Sequence, residues 1–120
     1  MDLDEAQRFA EEWAAGWNAH DLDRIMQHYS DDVVFSSPVA ARILDGSDGV
    51  LRGIEALRAY WREGLRRNPD LRFEVVGVCV GIDTIVVNFR HQTGLPAAEV
   101  LTFSRGLVVS GIGTHGPRPV

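Results

Sequence analysis

Apolar side chains in the first 65 residues recur at three- and four-residue steps, which is the spacing of one helix face. We predict a first helix over about 4–17, a second over 22–29 and a third over 54–65. Asp21 stands where its carboxylate can cap the second helix. The apolar stripe of the first helix consists of Ala6, Phe9, Ala10, Trp13 and Trp17. Such wide stripes predict that the helices pack on a large apolar surface.

From residue 71 the apolar period changes from helical to two, which is typical of strands. A first strand ends at Pro38, and the five strands are expected at about 33–37, 71–80, 84–92, 97–104 and 107–115. Residues 39–49 are rich in Asp and Gly and predict an exposed loop or a lid. The order predicts an α+β cone in which three helices cover a curved, mixed or antiparallel sheet around a pocket. One domain is expected over 1–116, with 117–120 as a loose C-terminal tail.

Alternation along the two central strands places an acid and an imidazole on the same face. Phe89 and His91 share the inner face of one strand, while Glu99 and Leu101 share that of the next. A turn centred on Leu95 would pair Phe89 with Leu101 and His91 with Glu99. Such a pair in an apolar cavity can transfer protons near neutral pH. A purely structural His–Glu hydrogen bond and a pair at a wet sheet edge are the alternatives.

The same parity rule predicts the remaining lining of the pocket. Gly111 and Gly113 are expected opposite Glu99 and Ala97, where they would leave unfilled space. The predicted lining is Trp13, Trp17, Tyr29, Phe35, Ser37, Trp61, Phe89, Leu101 and His115. The tryptophans are most simply interpreted as core residues, and only secondarily as walls on which a ligand stacks.

Four segments, in this order and at this spacing, resemble the nuclear transport factor 2-like superfamily. They are residues 17–23 (WNAHDLD), 29–32 (YSDD), 49–53 (GVLRG) and 106–109 (GLVV). The similarity is strongest to the SnoaL-like and ketosteroid-isomerase-like branch. It implies a cone-shaped fold and a pocket for a small hydrophobic molecule.

The ketosteroid-isomerase site is only partly matched. Ser37 stands at the position of that family's catalytic aspartate, Trp13 at that of its oxyanion-hole tyrosine, and Glu99 near its second acid. The resemblance therefore implies a SnoaL-like enzyme of isomerase, cyclase or hydratase type that acts on a small hydrophobic carbonyl compound without a cofactor. Glu99 and His91 would be its catalytic residues. The alternative is a non-catalytic ligand-binding or dimerisation domain.

Composition narrows the range of partners. The net charge of −5 and the scattered arginines argue against a nucleic-acid surface. The four histidines lack metal-ligand spacing, and no Gly-rich phosphate loop follows a strand, so neither metal nor nucleotide is expected. An acidic N-terminus and the lack of a long apolar run predict a cytoplasmic protein without a membrane contact.

The remaining apolar positions predict an interface. Cys79, the only cysteine, lies between two valines and is expected to be buried and inert. The outer sheet face is predicted to carry Val76, Val78, Val80, Val86, Val100, Val108 and Ile112. Because no helix is left to cover this face, a twofold homodimer through it is expected.

Overall fold

The computed structural model describes residues 1–120 and contains four helices and six strands. The helices are α1 Leu3–Asn18, α2 Leu22–Met26, α3 Pro38–Ile43 and α4 Ile54–Arg67. The strands are β1 Tyr29–Ser36, β2 Val50–Arg52, β3 Glu74–Gly81, β4 Thr84–Arg90, β5 Pro96–Ser104 and β6 Leu107–His115. They form one mixed sheet in the order β2-β1-β6-β5-β4-β3, in which only β1 and β6 are parallel neighbours. The predicted α+β fold is confirmed.

The helices begin where the sequence supplies caps. Asp2 accepts a hydrogen bond from the Glu5 backbone N–H at 2.8 Å at the start of α1. Asp21 caps α2 as expected, accepting from the Arg24 backbone N–H at 3.1 Å. Their buried faces join the inner face of the sheet in one core of 22 residues.

Residues 39–49 differ from the predicted loop, because α3 occupies the first half of this segment. The Ser37 side chain accepts a hydrogen bond from the Val39 backbone N–H at 3.1 Å, and Pro38 fills the first helical position, where no N–H is needed. Pro38, expected only to end the first strand, thus also begins α3, a helix that the sequence did not predict. Tyr29 was expected at the end of the second helix and instead begins β1.

The predicted register between β4 and β5 is wrong by four residues. Val87 lies opposite Glu99, so the expected pairing of His91 with Glu99 does not form. The connecting loop is closed by hydrogen bonds from His91 N–H to Leu95 O at 3.0 Å and from Gly94 N–H to His91 O at 2.8 Å. Because four is an even number, the side chains of β4 and β5 still lie on their predicted faces.

Two β-bulges change which residues face outward. A register shift between Val75 and Gly77 moves Val78 and Val80 to the inner side, opposite β4 residues of the core face. A second shift in the β5–β6 ladder turns Val108 inward, where it is fully buried. One extra residue reverses the parity of everything beyond it on that strand. The outer face therefore keeps only part of its predicted apolar set, namely Val76, Val86, Val100 and Ile112.

Cys79 is exposed, contrary to the expectation of a buried thiol. It lies on β3 at the edge of the sheet, opposite Val86 on the outer face. No helix in the structure combines the length and the hydrophobicity that a bilayer crossing requires.

Candidate active-site cavity

A cavity of about 860 Å³ lies against the inner face of the sheet and is also lined by residues of α1, α3 and α4. Its volume falls in the range of small-molecule sites. Eight of the eleven residues predicted for the site line it, namely Trp17, Phe35, Ser37, Trp61, Phe89, His91, Glu99 and His115.

The other three predicted residues, Trp13, Tyr29 and Leu101, lie in the core and do not line the cavity. Each is at most 4% exposed. The Trp13 indole N–H donates to the Tyr29 hydroxyl at 3.3 Å, and its ring stacks on Phe73 with ring centroids 5.5 Å apart. These contacts satisfy polar atoms inside the core. Trp13 thus packs against Phe73, which does line the cavity.

Glu99 is the only residue with an ionisable acidic or basic group among the buried residues other than tyrosine, and 8% of its surface is exposed. Its Oε2 atom has no hydrogen-bond partner. Desolvation raises the pKa of Glu99 from 4.5 to about 8, so the carboxyl group is protonated at neutral pH. A neutral carboxylic acid that lines a cavity can donate a hydrogen bond, or a proton, to a ligand oxygen.

Two tyrosines accompany this acid. Burial, followed by the nearby charge of Glu99, raises the pKa of Tyr29 well above its usual value. The pKa of Tyr60 is raised chiefly by burial, and the Ser37 side chain partly offsets this. Both phenols therefore stay neutral, and only the Tyr60 hydroxyl belongs to a residue that lines the cavity.

His91 lines the same cavity from the end of β4. Desolvation, and then the charge of His115, lower the pKa of His91 below its usual value of 6.5, so its imidazole is a neutral proton acceptor at pH 7. Its ring lies 5.4 Å from those of Phe73 and Phe89 and 6.4 Å from that of His115, between centroids. Because it is four residues beyond the partner of Glu99, the two backbone positions are about 13 Å apart. The acid and the base thus flank a space and do not touch each other.

The two inner glycines of β6 have different roles. Gly113, not Gly111, lies opposite Glu99, and it lines the cavity. Gly111 lies opposite Leu101, and a Cβ there would approach the Phe35 Cδ2 atom to 2.6 Å. The space at Gly111 is therefore filled by the Phe35 ring and is not part of the cavity.

The break after α1 positions one wall of the cavity. The Asn18 side chain donates to the Phe73 carbonyl at 3.0 Å and accepts from the Phe73 N–H at 2.7 Å. His20 Nε2 lies 2.9 Å from the Leu71 carbonyl oxygen. These bonds fix the segment that precedes β3 in the chain. Leu71 and Phe73 in this segment line the cavity.

Sequence reasoning missed several contributors to the lining, among them Tyr60, Arg42 and the C-terminal tail. Tyr60 lies on α4 three residues after Leu57, so the helical period contained a signal for it. Arg42 was not predicted because residues 39–49 were expected to form an exposed loop or a lid. The tail lines the cavity through Pro117, Arg118 and Pro119, and the Gly116 N–H donates to the Pro96 carbonyl at 3.0 Å. Nothing in its composition indicated this contact.

No three His, Cys, Asp or Glu side chains lie close enough together to hold a metal ion. The polar side chains that line the cavity carry a carboxylic acid, imidazoles, hydroxyls, amides and guanidinium groups.

The mixed sheet, the helices packed on it and the enclosed acid define a cone-shaped domain of the nuclear transport factor 2-like class. Residues 10–112 match the SnoaL-like domain, and the chain belongs to this family. A SnoaL-like protein of unknown function from Burkholderia thailandensis is 42% identical, with a TM-score of 0.88 over 93% of this chain and 94% of the other.

More distant structures share the fold. AclR from Streptomyces galilaeus, described as a candidate hydroxylase, is 25% identical, with a TM-score of 0.72 over 98% of this chain and 93% of that one. A candidate isomerase of the SnoaL-like family from Agrobacterium tumefaciens is 15% identical, with a TM-score of 0.75 over 96% of this chain and all of the other, which shows the fold alone. No curated protein matches this chain.

Proposed function

We propose that the protein is a cofactor-independent enzyme that uses acid–base chemistry on a small hydrophobic carbonyl compound. The observation that carries this proposal is Glu99, a protonated carboxylic acid with an unpartnered oxygen on the wall of an aromatic cavity. Perturbed acids in cavities are typical of catalytic sites, because buried ionisable groups are otherwise costly. The names of the similar proteins, a hydroxylase and an isomerase among them, do not agree on one reaction.

The proposed chemistry divides the proton transfers between the two groups. The Glu99 O–H donates to the substrate carbonyl oxygen, while neutral His91 removes a proton from the adjacent carbon. The C–H electron pair forms the C=C bond of an enol, and the carbonyl π pair accepts the proton from Glu99. In a β,γ-unsaturated substrate this enol is a dienol, and return of the proton from His91 to the γ-carbon, while the C=O bond re-forms and Glu99 recovers its own proton, completes an isomerisation. General acid–base catalysis of this kind contributes about 10²–10⁴-fold in rate.

An exchange assay tests this proposal without knowledge of the natural substrate. The protein is incubated in D₂O with 2-tetralone and related hydrophobic ketones, and loss of the α-proton signal is followed by NMR. We expect acceleration by the wild type and a loss of about 10²-fold or more in the Glu99→Gln variant, which keeps the shape but cannot donate a proton. Glu74→Gln, an exposed change of the same type on β3, is the matched control.

The alternative is a non-catalytic domain that binds the same class of molecule. Such a domain would bind the ketones, which a thermal shift would detect. The exchange rate of the ketones would then be the same with wild type, with Glu99→Gln and in buffer without protein. That result contradicts the enzymatic proposal. An unpartnered buried acid favours the enzyme, because a simple apolar binding site has no need for its destabilising effect.

We also propose a twofold dimer through the outer face of the sheet. Val100 lies between Val86 and Ile112 in the ladders, which makes a row of apolar side chains across three central strands. Ile112 is 45% exposed in the isolated chain. Burial of such a row against a second copy would remove apolar surface from water.

A further inference from the structure

The charges around the cavity are opposite in sign to those of the whole chain. The protein carries a net charge of −5, yet Glu99 is the only carboxylic acid that lines the cavity, and it is protonated at neutral pH. Two arginines line it, Arg42 on α3 and Arg118 in the tail. The cavity is therefore a cationic region in an acidic protein.

These two arginines lack the partners that others in the chain have. Five arginines form ion pairs with carboxylates, at positions 24, 52, 58, 66 and 67, and neither Arg42 nor Arg118 is among them. The Arg42 charge acts on the Tyr60 hydroxyl, whose pKa it lowers slightly against the larger effect of burial. Arg42 and Tyr60 both line the cavity, and Arg42, like Arg118, is exposed to solvent.

The local structure brings both arginines to the site. Ser37 lines the cavity and caps α3, and this cap fixes the start of the short helix that carries Arg42. The Gly116–Pro96 backbone hydrogen bond directs the chain ahead of Arg118 along the cavity. The adjoining polar residues, Gln92, Thr93 and Thr114, carry no charge.

We propose that the ligand of this cavity is an amphipathic anion, a small hydrophobic molecule with a carboxylate that Arg42 and Arg118 bind. Its apolar part would pack against Phe35, Trp61 and Phe89, and its carbonyl group would reach Glu99. This inference names the substrate class of the proposed function and rests on it. Guanidinium groups suit this role because their planar N–H pairs match the two oxygens of a carboxylate. An ammonium ligand would meet charges of its own sign.

Two isosteric probes test the charge alone. Calorimetric titrations at pH 7 and 50 mM salt compare 4-phenylbutyrate with the neutral 4-phenylbutanamide. We expect the wild type to bind the carboxylate at least about tenfold more tightly, and Arg42→Gln and Arg118→Gln each to reduce that ratio, reaching about one in the double variant. Arg62→Gln is the matched control, because Arg62 is exposed on α4, forms no ion pair and does not line the cavity.

Equal binding of the two probes by the wild type would overturn the inference. So would an equal effect of Arg62→Gln and Arg42→Gln, since net charge alone would then explain the preference. Failure of both probes to bind would also overturn it. In each case the enzymatic proposal is tested separately by the ketone exchange assay. That assay uses neutral ketones and depends on Glu99, so its result does not depend on the two arginines binding a carboxylate. Circular dichroism of every variant verifies that the fold is retained.

Discussion

Glu99 on β5 lies directly opposite Gly113 on β6, so the sheet has no side chain beside the buried acid on that strand. A methyl group at position 113 would contact Ser37 Cβ at 3.4 Å, an ordinary packing distance. The glycine therefore leaves room next to a carboxyl group whose Oε2 atom has no partner. That combination makes the acid accessible to a ligand while the surrounding core keeps it protonated.

The cost of this acid predicts a gain in stability on its removal. The pKa of Glu99 in the folded protein, about 8, is above its ordinary value of 4.5, so the folded state keeps a proton that the unfolded state loses. Wild-type stability then falls as pH rises from about 4.5 towards 8, by about 3 kcal/mol at pH 7, and levels off above 8. Glu99→Gln lacks this loss. Urea unfolding at pH 4.5, 6, 7 and 8 measures the difference.

The comparison uses differences between variants, because other carboxylates also titrate below pH 5. We expect the free energies of unfolding of Glu99→Gln and wild type to diverge with pH, the variant becoming the more stable. Glu74→Gln should follow the wild type. Parallel curves for wild type and Glu99→Gln would show that the carboxyl group is not desolvated in solution.

The rate of the proposed reaction should show a bell-shaped pH dependence. It requires Glu99 with its proton and His91 without one, so kcat/KM should fall above about pH 8 and also below the pKa of His91, which is lowered from 6.5. His91→Asn should remove most of the activity and with it the acidic limb. If the residual activity of Glu99→Gln still fell above about pH 8 as in the wild type, the alkaline limb would belong to another group.

Gly111→Ala should destabilise the fold, in contrast to Gly113→Ala. The added methyl group would lie 2.6 Å from Phe35 Cδ2, and this ring is 2% exposed and packed edge-on against Trp61 at 5.3 Å between centroids. Overpacking of this kind costs about 1–3 kcal/mol. Thermal and urea unfolding of both variants measure it. Equal stabilities would show that the Phe35 ring can move aside.

The alternation of apolar residues predicted the sheet faces of the site, because a shift of four residues leaves parity unchanged. Glu99, His91 and Phe89 accordingly line the cavity although the predicted register was wrong. The register depended on the length of the loop before Leu95, which is set by two backbone hydrogen bonds that composition does not specify.

Features that depend on contacts distant in sequence were not predictable in the same way. The bulges that turned Val78 and Val108 inward leave no mark in the apolar pattern. The bonds between Asn18 and Phe73 join residues 55 positions apart, and the segment WNAHD predicted only a helix break. Trp13 was expected to line the cavity, although a tryptophan in the apolar stripe of a helix is most simply a core residue, and the structure places it in the core.

The proposed dimer makes a prediction about Val100, the middle of the apolar row on the outer face. Its two ladder neighbours are Val86 and Ile112, so Val100→Glu would place a charge among apolar side chains at the centre of an interface. Light scattering after size exclusion should give twice the chain mass of 13.3 kDa for the wild type and the single chain mass for the variant. Ile82→Glu is the control, because Ile82 is 93% exposed in the β3–β4 turn and lies outside the row. A monomeric wild type at about 100 µM, a concentration at which a micromolar dimer is mostly assembled, would rule out this interface.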